Sequence, residues 1–477
     1  MRTTALILAV ALLGLAPAAA RAQDSKAALE TVSKALGADV VTSLVYDGNG
    51  TVYSVGQGAT PGGPWSRFNL KSYSRSINYD IAASRDVVVR TQWENPPRGG
   101  GGQPIRGETR QEFVVRGDHS WNVVGDNAVP SPITLAARQF ELWATPHGMV
   151  KAALAGKGSM QGRTITVAVP GTFKAEATVN EQNLIDKVVG TIPNAAVGDF
   201  RIEIVYSDYK DFGGVKFPTR IRQTAGGQPT FDLTVTDVQP NFVFDVAVPA
   251  AVRAASQPYS RVASQKVAEG VWYIAGGTHH SVLIEMKGNA ILVESPLNDE
   301  RAVAVLAEVR ALLPNKPIRY LVVTHRHFDH FGGVRGMAAR NVEVLVHESG
   351  RAFATQALSA PATVRPDALA KSGITPDVDT VRSKRVISDG TRTVEIHHLP
   401  TGHADDLLMV YLPKEKLLVE ADVFTPLAPN ATPPTPPNPA TMDLVNHIAK
   451  LKLEVDQILP LHGRIVPIAE LNRTIGR

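Results

Sequence analysis

The segment YLVVTHRHFDHFGG, residues 320–333, places three imidazoles and a carboxylate within six positions. An apolar, β-type run ends at Thr324, and His325, His327, Asp329 and His330 follow at once. Alternate side chains share a face only while a chain stays extended, so four donors this close require the chain to leave the strand and turn. Gly332-Gly333 then permits a tight start to the next helix. An apolar strand running into one donor recurs three times: VEIHHLPTGH ends at His403, KLLVEAD ends at Asp422, and QILPLHG contains His462. Imidazole and carboxylate suit Zn2+, Mn2+ or Fe. Strand ends hold such side chains still while loops form a mouth. The expected assignment is His325, His327 and His403 on metal one, and Asp329, His330 and His462 on metal two, with Asp422 bridging both. Two cations about 3.5–4 Å apart make a bridging water a hydroxide nucleophile near neutral pH. Asp329 would orient that nucleophile and take its proton, so Asp329 and Asp422 are the expected catalytic carboxylates.

The remaining composition narrows the frame around this cluster. The chain has 477 residues, 13 His and no Cys, which excludes disulfides, zinc–thiolate sites and thiol nucleophiles. It is too long for one ordinary domain. With 44% apolar and 20% charged residues it can bury a substantial core. A formal charge of +4 gives no reason to expect nucleic acid as a partner. Met1–Ala22 combines Arg2, an apolar run over Ala5–Pro17 and the small-x-small triplet Ala20-Arg21-Ala22, as in a cleavable export leader cut after Ala22. The run is shorter than the roughly 20 residues that span a bilayer, so no stable membrane insertion is expected after cleavage. The expected location is periplasmic or secreted.

The expected organisation is a leader (1–22), a β-rich domain (23–260) and a metal-binding domain (261–477), with the boundary placed at Gln257–Ser264. Thr51–Val55, Lys71–Tyr79, Val87–Trp93, Thr164–Val169, Arg201–Tyr206 and Thr230–Val238 alternate with period two and read as antiparallel strands. A short helix over Ser25–Leu36 opens this half. Pro96–Gly102 (PPRGGGG) reads as a flexible loop or linker, and Glu112, Asp118 and His119 as a solvated strand end. His347, His397 and His398 are expected to pack or to support the ligands, and His447 to lie on a helix surface. The Pro-rich Thr425–Thr441 follows Asp422 and would be extended and stiff, either over the metals or as a surface insertion.

From Val267 to Arg477 the chain resembles the metallo-β-lactamase superfamily, whose His-x-His-x-Asp-His signature is matched by His325–His330 and Gly332-Gly333. The family's later His, Asp and His match His403, Asp422 and His462 in order. The resemblance implies an α+β chain whose C-terminal part is a four-layer αβ/βα sandwich, with the mainly antiparallel β domain before it. Together with the leader it implies an exported dinuclear zinc hydrolase (two Zn2+, with Fe or Mn as substitutes) that cleaves an ester, thioester, lactone or amide of a small-molecule substrate by a metal-bridging hydroxide. An Asp at the bridge is similar to the glyoxalase II and lactonase branches rather than to the true β-lactamases, and His327 stands where the oxygen-reducing di-iron branch has Glu. A β-lactamase and a mononuclear iron thiol dioxygenase are the alternative enzymes. Where the family often has Asp, ILVESP offers Glu294, whose longer side chain must re-aim its hydrogen bonds. His279 and His280 (GGTHHS) sit in a loop that reaches the cleft in this fold, giving one of them a role in substrate binding or ligand support. Asp405 and Asp406 either hold imidazoles or cap the following strand. Tyr206–Asn241 resembles strands of the periplasmic lipoprotein-carrier half-barrel, through Tyr209, Gly214-Val215, Phe217-Pro218, Asp237 and Asn241. A curved sheet there, with an apolar concave face, would take a hydrophobic ligand, and a non-enzymatic lipid or envelope role for the first half is the alternative to an enzyme.

Overall fold

A computed structural model describes residues 16–255 and 261–477, with side chains from residue 23 onward. Most of the expected leader, and residues 256–260 at the expected domain boundary, lie outside the described residues. Among the described residues the strands form three sheets of 13, seven and six strands. No described helix is long and apolar enough to cross a membrane.

The first sheet is antiparallel and holds every strand from Ser43–Ser54 to Gln228–Pro240. Its first and last strands pair, Leu44 opposite Pro240, so two meanders join into one continuous surface. Each alternating segment of the sequence falls on a strand, and five of the six strands begin before the alternation does: Lys71–Tyr79 belongs to Ser66–Asn78, and Arg201–Tyr206 to Gly198–Asp211, which runs past it at both ends. Hydrogen bonding continues where the hydrophobic pattern has stopped. The helix expected from Ser25 begins at Ala16 and ends, as expected, at Leu36. Its Leu29, Val32 and Leu36 enter one core with Phe140, Met149 and the inward residues of the sheet. Glu112 is a correction: far from a solvated end, it lies mid-strand at 6% exposure, held by Arg85 and Arg110, each at 2.7 Å.

The other two sheets pack face to face. Strand Ala290–Val293 sends Ile291 and Val293 between the sheets, and Ala290 and Leu292 outward under a helix layer that includes Asp299–Leu312. Strand Leu408–Leu412 does the same on the second sheet, with Leu408, Val410 and Leu412 inward. Its Met409 and Tyr411 lie under helices Pro439–Leu451 and Ile468–Thr474. Period-two side chains that are apolar on both faces need cover on both, which gives helix, sheet, sheet, helix. The metal-type donors sit where strands of both sheets end.

His147 is wholly buried, stacked on Phe217 at 5.9 Å, with its Nε2–H donating to the Leu36 carbonyl at 3.2 Å. Burial pushes its pKa down to about 4, against the Leu36 hydrogen bond and with help from Lys151. The unfolded chain therefore takes up a proton near pH 6.5 that the folded chain refuses until about 4. Stability should fall as pH drops through that window, by up to about 3 kcal/mol from this group. Denaturant melts of His147→Gln should lose less stability than the parent between pH 7 and 4; parallel profiles would contradict this.

Candidate metal centre

Seven donors converge at the sheet edge. His325 and His327 leave strand Ile318–Val322, and Asp329 and His330 occupy the single helical turn Phe328–Phe331. His403 lies in the loop after Thr393–His398, Asp422 after Leu417–Glu420, and His462 after Gln457–Pro460. Two donor groups take in all seven, His325–His327–His403–Asp422 and, with His279 added, His279–Asp329–His330–His462; a third, Glu294–His325–His330, overlaps both, and the donor atoms of each lie within 4.8 Å of one another. The Asp422 carboxylate spans the first two. Its Oδ1 is 2.7 Å from His462 Nε2 and 3.2 Å from His330 Nε2. Its Oδ2 is 2.9 Å from His403 Nε2 and 3.5 Å from His325 Nε2. A positive φ of 64° at Asp422 turns the chain off its strand to achieve this, at a backbone cost of about 1–2 kcal/mol.

Residues 274–465 match a family model described as the metallo-beta-lactamase superfamily. They form a metallo-beta-lactamase superfamily domain. The chain is also 28% identical over 166 residues to 2,4-dinitroanisole O-demethylase subunit alpha of Nocardioides sp. (strain JS1661), a match covering 34% of this chain and 47% of that one. Thus the chain spans about half the length of that curated relative. Among solved structures, a metallo-beta-lactamase from Pontibacter korlensis is 21% identical, with a TM-score of 0.36 over 45% of this chain and 97% of its own. One from Hirschia baltica is 20% identical, with a TM-score of 0.34 over 45% and 96%.

Within the metallo-beta-lactamase domain the outer ring nitrogens reveal the tautomers. His330 Nδ1–H donates to Glu294 Oε2 at 2.8 Å, and His462 Nδ1–H to the Thr278 carbonyl at 2.7 Å. His325 Nδ1–H donates to Thr324 Oγ1 at 3.0 Å, and that hydroxyl donates in turn to Glu294 Oε1. His327 Nε2–H donates to the Gly58 carbonyl at 2.9 Å. In the neutral rings, where the outer nitrogen carries the proton, the inner ones present lone pairs to each other: His325 Nε2 to His327 Nδ1 at 2.9 Å, and His330 Nε2 to His462 Nε2 at 3.2 Å. Facing lone pairs repel unless a cation lies between them, so the donor set fits metal ions.

Electrostatics points the same way. Burial alone would raise the Asp422 pKa, yet His330, His403 and His325 hold it well below the usual carboxylate value. Asp329 is likewise lowered against burial, by His330 and a hydrogen bond from His279. Burial disfavours a charged His330, but Glu294, Asp422 and Asp329 outweigh it and raise that pKa well above the imidazole norm. Fixed negative charge thus concentrates where a cation would sit.

Other expectations resolve differently. Gly332 and Gly333 have ordinary negative φ of −62° and −96°. They are needed for clearance, because a Cβ on Gly332 would lie 2.0 Å from the Leu297 carbonyl oxygen. Asp405 and Asp406 turn to Arg326 rather than to the ligand imidazoles, and Asp406 also accepts from the Arg326 backbone at 3.2 Å. His279 reaches the centre, its Nε2 3.2 Å from Asp329 Oδ2, while His280 braces Gly276 and Gly463. His347 and His398 stack at 3.7 Å away from the donors, as packing residues. The Pro-rich segment reaches the His462 loop, Pro426 lying against Gly463, and Arg106 of the first sheet's region holds its Thr435 and Pro436 carbonyls. PPRGGGG is no free linker: Gly99 donates to the Gly402 carbonyl at 2.8 Å, and Gly100 to that of Gln57 at 3.0 Å. Gln57 and Gly58 were invisible to sequence reasoning, since their partners are some 270 residues away.

Glu294, fully buried with φ 68°, is the shared anchor of His325 and His330. Glu294→Gln should weaken metal binding about 10–100-fold, the usual scale for a ligand's hydrogen-bond partner. Chelator competition on the purified variant measures this, and parental affinity would remove Glu294 from that role.

Proposed function

We propose that the chain is a dinuclear metal hydrolase, with zinc as the resident metal, that cleaves an ester, thioester, lactone or amide bond in a small molecule. The single observation that carries this reading is Asp422, one oxygen toward His325 and His403, the other toward His330 and His462. His325, His327 and His403 would hold the first ion and Asp329, His330 and His462 the second. Bound divalent ions supply Lewis acidity to a carbonyl and an activated water at neutral pH.

The chain's own groups supply orientation and charge. Asp422 remains ionised, so it can serve both donor groups at once. Asp329 has both oxygens engaged, Oδ1 by Gln57 at 2.7 Å and Oδ2 by His279 at 3.2 Å. With its pKa lowered, it acts as an ionised ligand and orients what binds beside it more readily than it takes up a proton. Glu294 and Thr324 keep the imidazoles in the tautomers that ligation needs. The leader-like Met1–Ala22 supports an exported protein.

The Nocardioides relative is a 2,4-dinitroanisole O-demethylase subunit alpha, so an aryl methyl ether belongs in the assay panel beside the acyl substrates. Elemental analysis of the purified protein should find about two equivalents of zinc, and the panel should show acyl hydrolysis that chelation abolishes. Asp422→Ala should lower kcat/KM by on the order of a hundredfold or more, the scale of losing a preorganised electrostatic group. Full activity in metal-free protein, or in Asp422→Ala, would overturn the reading.

A further inference from the structure

The metal-binding donors do not stand alone in their own domain. The turn Gly56–Gly58 follows strand Ser43–Ser54 of the first sheet and lies directly on the His325–His330 segment. Phe328, between two donors, packs so closely on Gly56 that a Cβ there would come within 2.3 Å of its ring. The Gly58 carbonyl accepts from both His327 Nε2–H at 2.9 Å and Arg326 Nη2 at 2.7 Å. Next to it, Ala59 accepts from the Asp405 backbone N–H at 2.9 Å, and Gly99 donates to Gly402 at 2.8 Å, on the two sides of His403.

Gln57 is fixed at both ends of its amide. Oε1 accepts from the Gly101 N–H at 3.2 Å, which leaves Nε2 to donate to Asp329 Oδ1 at 2.7 Å. Gly100 closes over this side chain. A Cβ at Gly100 would stand 1.9 Å from Gln57 Oε1 and 3.1 Å from His327 Cε1. The glycine run therefore lets the backbone press a donor amide and an acceptor carbonyl against two metal-facing side chains from outside their own domain.

We propose that the Gln57–Gly58 turn of the first domain is a positioning element of the metal centre, with Gly58 holding His327 as the tautomer that ligates through Nδ1 and Gln57 holding Asp329 in one carboxylate orientation. This rests on the dinuclear reading above. It gives the β domain a task at the metals: the centre is completed by two domains, and the Gly99–Gly101 arch is the clamp that keeps the turn in place. The Gly58 contact is made by backbone, so the side chain to vary is Gln57. Gln57→Glu keeps shape and the acceptor for Gly101 but replaces the donor to Asp329 with a carboxylate. Gln57→Ala removes the side chain altogether.

The test uses the full chain, stripped of metal and titrated with Zn2+ against a chromophoric chelator, then with Co2+ while the visible d–d absorption is recorded. Both variants should hold at least one metal equivalent about tenfold more weakly or worse, the scale for a ligand's hydrogen-bond partner, and should shift the cobalt band. Metal-free Gln57→Ala should unfold within a few degrees of the parent, because it places no second carboxylate beside Asp329. A merely structural Gln57 would lower the unfolding temperature and leave the affinity and the cobalt band unchanged, which would overturn the proposal. A parent chain that binds two metals while both variants match it sinks this inference alone. A parent chain that binds none sinks the dinuclear reading and this inference with it.

Discussion

The centre is organised by lone pairs that face one another. A neutral imidazole whose outer nitrogen is already donating cannot also donate inward, so the 2.9 Å approach of His325 to His327 and the 3.2 Å approach of His330 to His462 need a proton or a metal cation between the rings. Asp422 places negative charge at the middle of both groups. Two sheets packed face to face, each covered by helices, hold the strand ends rigidly enough for that approach to persist. Backbone strain is accepted at the points where a carboxylate must be turned inward, with positive φ at Glu294 and Asp422.

Burial raises the stakes of each supporting bond. Glu294 is 1% exposed, and its charge is held by His330 and His325 and by hydrogen bonds from Thr324. Such a network is favourable only when every member is satisfied. The chain meets that demand from unusual distances: Thr278 serves His462, Asp406 holds Arg326 between two ligands, and Gly58 serves His327 from another sheet. Sharing the work this way ties the geometry of the donors to the docking of the two halves.

How far this could be read from residues alone follows from range. The His325–His330 cluster is local, and His403, Asp422 and His462 each end an apolar strand, so donors and their strands were legible together. The layered core was expected through the family resemblance, and its physical basis is that Ala290–Val293 and Leu408–Leu412 are apolar on both faces. Strand ends in the first sheet were not, since partner strands extend pairing beyond the hydrophobic pattern. Glu112 read as a solvated group, and Asp406 as an imidazole support or strand cap, until their arginine partners were placed opposite them. PPRGGGG has the composition of a linker, and only its long-range hydrogen bonds to Gln57 and Gly402 make it a fixed arch. Glycines conserve space as well as freedom, and a bare sequence does not show which is in demand.

The central claim is that two ions share the Asp422 carboxylate. Anomalous diffraction from crystals of the zinc-loaded chain, recorded on both sides of the zinc absorption edge, addresses it most directly. Two zinc peaks should appear, one among His325, His327 and His403 and one among Asp329, His330 and His462, with Asp422 touching both. A single peak in either group, or peaks that Asp422 does not join, would contradict it.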